Sequence, residues 1–294
     1  MRARTLLLAV LVLAGCASTP KPVDPPRLKA ALEAESDGAK RHGRGDHAAA
    51  ARRFDEAARI FASIDDTPGA ARNRRHLARA ELAQGRAEAA LLALDLAERG
   101  SGFGVTLGAT LDTLLLKAQA QLALGRNADA QQSLAVAAGL CASTCPQAAS
   151  LHLLQAHAAL AGKRALEALT HAEAALKLLQ DKDEAAETGN AWRLIAAARL
   201  ANGDATAALP AAHAALDIDR RLALPEKIGR DWLLIGDIQK RVMRSGIHSD
   251  GAGETAANAY RRALDVAKAA GLADIAEIAT QALAEVSGGK QAVH

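Results

Sequence analysis

A recurrence at about forty residues constrains this chain more than any other feature. Ala50, Phe54 and Ala57 follow Gly45. Forty residues on, Ala90, Leu94 and Ala97 follow Gly85, and forty further Ala130, Leu134 and Ala137 follow Gly125. Ala168, Ala172 and Ala175 come next, with Gly162 one place out of register, and then Ala208, Ala212 and Ala215 behind Gly203. Ala256, Tyr260 and Ala263 form a sixth copy after a longer gap. Positions four and seven apart share one face of a helix. Alanine at both ends of the triplet lets a neighbouring helix approach, and the residue between them fills the groove. The glycine ends the preceding helix where positive φ is wanted. Asp46 and Asp204 follow it as starters of the next helix. Twelve residues before the leading alanine stands another small residue: Gly38, Ala78, Ala118, Ala156 and Ala196. Half the chain is hydrophobic but only 2% is aromatic, so the apolar surface is mostly Ala and Leu. Such a core holds together through close helix packing, not through sheets.

These residues resemble the tetratricopeptide repeat (TPR) family over about residues 31–270. That family carries small residues at the same helix contacts and often a Trp or Leu early in the first helix. Trp192 and Trp232 fit that place in the fifth and sixth copies, and Gly236 continues the small position. The period departs from the usual 34 residues, and a HEAT-like repeat of about 40–47 residues is the competing reading. The glycine and alanine signature favours the TPR form. The expected fold is therefore an all-α, TPR-like helix-turn-helix solenoid of about six repeats over 29–287. Leu272 to Val286 is expected to cap its end, and 288–294 to form a disordered tail.

The N-terminus reads as an address. Arg2 and Arg4 precede an unbroken apolar run from Leu6 to Ala14. The layout is that of a signal peptide, and nine apolar residues are too few for a membrane span of about 20. Leu13-Ala14-Gly15-Cys16 resembles the lipobox of bacterial lipoproteins. The resemblance implies removal of 1–15 and acylation of Cys16, a palmitate-type anchor. With Ala17 rather than Asp next, and a Gram-negative source, the family's sorting rule implies the outer membrane, facing the periplasm. Residues 16–28 hold four of the eight prolines and read as a stiff tether. Without Arg2 and Arg4, the 36 basic residues nearly balance the 33 acidic ones. That balance argues against nucleic acid and against a polybasic membrane contact.

With Cys16 lipidated, Cys141 and Cys145 remain as a pair. An oxidising periplasm favours a disulfide. A free pair and a metal pair are the alternatives, the latter poor because zinc wants four ligands. His152 and His157 add only a weak spacing. No cofactor or metal motif and no catalytic constellation is visible, so binding rather than enzymatic activity is expected. His42 and His47 flank a turn and are expected to be solvated. His157, His171 and His213 read as helix-surface or groove residues. The glycine-rich stretch Gly100 to Gly108 reads as a flexible connection. The segment Arg244 to Gly253, with His248 and Asp250, lengthens the sixth turn by about eight residues.

In the TPR family, set positions of each first helix face the concave groove. Carried over, they give Arg72, Arg75 and Arg79 in the second repeat, and Asn190 and Arg193 in the fifth. In the sixth they give Arg230, Asp237 and Lys240. Arginines at that spacing could grip carboxylates bidentately, and a solvated charged face is the alternative. The resemblance implies a lipid-anchored periplasmic scaffold or assembly factor for an envelope complex. It would bind partner proteins or peptide segments through the groove, touching the membrane through the lipid only. The rivals are a regulator of a cell-wall enzyme, a carrier or sensor of a small ligand, and a hydrolase using His248.

Overall fold

The computed structural model describes residues 25–99, 106–141, 145–245 and 252–288. The leader, Cys16, residues 100–105, His248, Asp250 and the tail from 289 lie outside the described residues. Thirteen helices and no strand occur among the described residues. They pair as α1 (Pro26–Gly43) with α2 (His47–Ser63), α3 (Thr67–Leu82) with α4 (Ala87–Arg99), and α5 (Leu107–Ala123) with α6 (Asn127–Leu140). Next come α7 (Ala148–Ala161) with α8 (Ala165–Leu179), and α9 (Ala185–Ala201) with α10 (Ala205–Arg221). The last pair is α11 (Pro225–Ser245) with α12 (Ala252–Ala270), closed by α13 (Ala273–Gly288). These are six helix-turn-helix units and a cap.

Each unit closes on the same pair of positions. Gly38 faces Phe54, and Gly236 faces Tyr260. Ala78 packs in one cluster with Leu94, and Ala118 in another with Leu134. Ala156 with Ala172, and Ala196 with Ala212, complete the series in a third. An aromatic second-helix residue meets glycine, and leucine or alanine there meets alanine. The leading alanines of all six triplets are fully buried. Each methyl so removed from water contributes roughly 0.8 kcal/mol. The sum is spread over many small contacts, as expected of an aromatic-poor core.

Local chemistry sets the helix ends. Asp46, Asp66 and Asp204 accept from the backbone N–H three residues on, at 3.2, 2.8 and 2.9 Å. Gly45 and Gly203 take φ of 81° and 88° in the turns before α2 and α10. In the fourth unit the left-handed residue is Lys163 (φ 58°), not Gly162, because the turn needs that conformation one place later. Pro26 opens α1, inside the tether expected over 16–28, because proline at the first helical position gives up no hydrogen bond. The end of the glycine-rich stretch is not a connection. Thr106 Oγ1 accepts from Ala109 N at 3.2 Å, and Leu107 and Gly108 are already helical. The eight extra residues of the sixth unit go partly into helix: α11 has 21 residues and α12 has 19.

Curvature follows from which helices meet. From α3 to α13 each odd-numbered helix packs on the next odd-numbered one, while successive even-numbered helices do not pack in this way among the described residues. The odd-numbered helices thus line the inner, concave side. No described helix is long and apolar enough to cross a membrane.

Candidate functional site

The charged groove positions meet internal partners. Arg72 on α3 makes a bidentate pair with Glu35 on α1, at 2.6 and 2.8 Å, and lies over the Phe61 ring. Its guanidinium holds the Glu35 carboxyl below the ordinary range. Arg75 and Arg79 converge on Asp112 of α5, Arg75 at 3.5 Å. Arg230 reaches Glu226 at 3.0 Å and Asp274 of α13 at 3.7 Å. Lys240 pairs with Glu285 of α13. Asp237 accepts from the Tyr260 hydroxyl at 2.7 Å, and burial followed by that contact raises the tyrosine's pKa. The predicted cations therefore form a ladder between successive inner helices. Sequence reasoning missed its acidic half. The signal was there: Glu35 to Arg72, Arg75 to Asp112 and Arg193 to Asp231 are opposite charges 37 or 38 residues apart.

The fifth and sixth units share a buried ionic triad. Arg193 Nε donates to Asp231 at 2.7 Å, its Nη1 to Asn190 Oδ1 at 2.9 Å, and its Nη2 to Asp219. Both aspartates are 0% exposed. One guanidinium cannot neutralise two carboxylates. Burial, above all, and then the neighbouring Asp219, outweigh Arg193 and push Asp231 up to about 6. One oxygen on each carboxylate lacks a donor, which suits a proton shared between them.

Between the two ends of the ladder the inner face changes character. From Asn127 to Gly162 the only Asp, Glu, Lys or Arg is Asp129, so α7 has nothing with which to continue the ladder. A hollow of about 320 Å³ lies there instead. Leu153, Leu154 and His157 of α7 form one wall, Asn190, Arg193 and Leu194 of α9 the second, and Arg230 of α11 the rim. His157 opens to the hollow, yet the surrounding wall desolvates it, and Arg230's charge adds to the lowering of its pKa. At neutral pH it is an uncharged donor and acceptor. Leucines with a few convergent polar groups suit one apolar side chain and the polar backbone beside it.

Cys141 and Cys145 stand 5.4 Å apart at Cα and are joined by a disulfide, which ties the end of α6 to the start of the fourth unit. His42 and His47 are not solvated as expected. They are half-buried, with their Nδ1 atoms 3.2 Å apart, and burial lowers the pKa of His42. His213 is exposed.

No protein-family model and no curated protein sequence matches this chain. Solved structures do. The apo form of RapI aligns with a TM-score of 0.62 at 13% identity, over 89% of this chain and 72% of that one. Cut9, from the APC/C hetero-tetramer Cut9–Hcn1, aligns at 0.66 and 15%, over 87% of this chain and 43% of that one. A signal-transduction ATPase of Pyrococcus horikoshii with a tetratricopeptide repeat sensor aligns at 0.64 and 12%, over 87% and 36%. The chain thus spans less than half of the last two proteins. At these identities the likeness establishes the fold, an all-α TPR-like solenoid.

Proposed function

We propose that this chain is a lipid-anchored scaffold of the bacterial envelope that binds partner proteins along its inner face. The observation that carries the reading is the hollow between α7, α9 and α11, where charge pairing gives way to Leu153, Leu154 and Leu194. A solenoid offers an extended surface of this kind and no inherent chemistry. The paired arginines act as struts between repeats. Recognition rests instead on an apolar side chain of the partner seated among the leucines, with Asn190 and His157 oriented toward its backbone, and with Arg230, whose own pairs are exposed, free to exchange them for a partner carboxylate at the rim. The lipobox resemblance at Cys16 supports attachment to the outer membrane, on the periplasmic side. An assembly factor and a regulator of a cell-wall enzyme share this geometry and differ in the partner.

Site-specific photocrosslinking in intact cells tests the reading. A crosslinker at Leu154 or Leu194 is expected to trap the same envelope protein. One at Glu88, exposed on α4, is expected not to trap it. Equal trapping from all three positions, or none from the two leucines in a folded and abundant protein, would count against the inner face.

A further inference from the structure

A second cavity, of about 600 Å³, opens between α6 and α8 over the flank of α7. Cys141, His152, Gln155, His171 and Lys177 are among its lining residues. Two imidazoles meet there. Nδ1 of His152, on α7, lies 3.1 Å from Nδ1 of His171, on α8. Their ring centroids are 5.3 Å apart and their planes are tilted by 32°. Gln155 sits one helical turn beyond His152 and lines both this cavity and the adjoining one that holds Glu167. Its Oε1 is buried and has no hydrogen-bond partner.

A single N–H shared between the two rings accounts for their distance but leaves the Gln155 oxygen without a donor. A cation held by the two rings would offer the Gln155 oxygen, which lines the same cavity, the partner it lacks. We propose that His152 and His171 form a transition-metal site, with Gln155 Oε1 as an oxygen ligand and water completing the shell. The ion is a borderline divalent one, such as Zn²⁺ or Cu²⁺, for which imidazole is the preferred donor. With metal–nitrogen bonds of about 2.0–2.1 Å, a 3.1 Å separation subtends an angle of about 100°, as two adjacent ligands of a tetrahedral or square-planar ion require. Ligation needs neutral rings. Burial, then the neighbouring His152, lower the pKa of His171; Arg164 adds to this and Glu167 opposes it. Glu167 lies one turn before His171 on α8 and is held by Arg164 at 3.0 Å.

No three His, Cys, Asp or Glu side chains gather closely enough to hold a metal among the described residues. The amide oxygen is what lifts this pair above a simple contact. The other imidazole pair, His42 with His47 at 3.2 Å, is the internal comparison. It spans a turn, and no orphaned acceptor lies on the residues that form it.

The test is a titration of the full chain, made without a histidine tag and stripped with a chelator, using Zn²⁺ and separately Cu²⁺. One ion per chain is expected to depend on this site, and the melting temperature is expected to rise with metal. The electron paramagnetic resonance spectrum of the Cu²⁺ form is expected to show two imidazole nitrogens. His152→Ala and His171→Ala are each expected to weaken binding by more than about tenfold, and Gln155→Ala by a smaller factor. The pair His42→Ala with His47→Ala is expected to leave binding unchanged. Circular dichroism of each variant separates a lost ligand from a lost fold, and the wild-type resonance spectrum needs no variant. Binding undiminished in the His152→Ala, His171→Ala double variant, or no ion retained at micromolar concentration, would overturn the assignment.

Discussion

A methyl group added to Gly38 would lie 2.8 Å from two ring carbons of Phe54, closer than real Cβ contacts allow. The ring cannot retreat, because Phe54 is itself 3% exposed in the core of the first unit. Gly38→Ala is therefore expected to destabilise the fold by about 1–3 kcal/mol through overpacking. Combining it with Phe54→Leu recreates the Ala78–Leu94 arrangement of the second unit. The double variant is expected to recover part of the loss. Urea unfolding of the four proteins measures the coupling, and strictly additive effects would contradict the size-matching rule.

The buried triad makes stability depend on pH. Asp231 is raised to about 6 in the folded protein, against about 3.9 for an unperturbed aspartate. A carboxyl raised on folding binds its proton better in the native state. Its stabilising contribution is full below about pH 4 and is lost as pH rises through 6. The loss is about 3 kcal/mol. Asp231→Asn removes the titration and keeps a donor toward Asp219. The variant is expected to gain stability relative to wild type between pH 4 and pH 7. A difference that does not change with pH in denaturant titrations would refute the shared proton.

Two arginines of the groove differ in what their removal leaves behind. Arg193→Ala strands two buried carboxylates and is expected to cost about 3–5 kcal/mol. Arg72→Ala breaks a half-exposed pair and is expected to cost about 1 kcal/mol or less. Lysine at 193 is not expected to restore stability, because a single ammonium cannot reproduce the three-way guanidinium contact. Thermal unfolding of the three variants gives the ranking, and equal costs for Arg72 and Arg193 would argue against the triad.

The proposed anchoring through Cys16 has a direct chemical readout. Wild-type protein is expected to incorporate labelled palmitate in cells and to fractionate with the outer membrane. Cys16→Ser is expected to abolish both while leaving the helical fold unchanged. Labelling that persists in the serine variant would place the lipid elsewhere or remove the anchor from the account.

Much of the solenoid was legible in the chain itself. The sixteen-residue offset between Gly38 and Phe54 returns at Ala78 and Leu94, and the triplet alanines mark one helix face in every copy. Periodicity reports such faces because a helix repeats every few residues whatever surrounds it. The turn glycines and Asp46 and Asp204 were legible for the same reason, since their work is local. The register of the fourth turn, taken over by Lys163, was not, because it depends on how two helices meet.

What the sequence determined alone was the repeat, its helix-turn-helix form and the cap. Only the tertiary structure decided what each charged or imidazole group would face. Arg193 was placed in the groove by its position along one helix, but Asp219 and Asp231 reach it from two others. His152 and His171 stand on different helices, and no spacing announces their contact. A pattern along one helix states which side a residue occupies. The offset and rotation between helices, which set its partner, are settled when all the buried alanines close together.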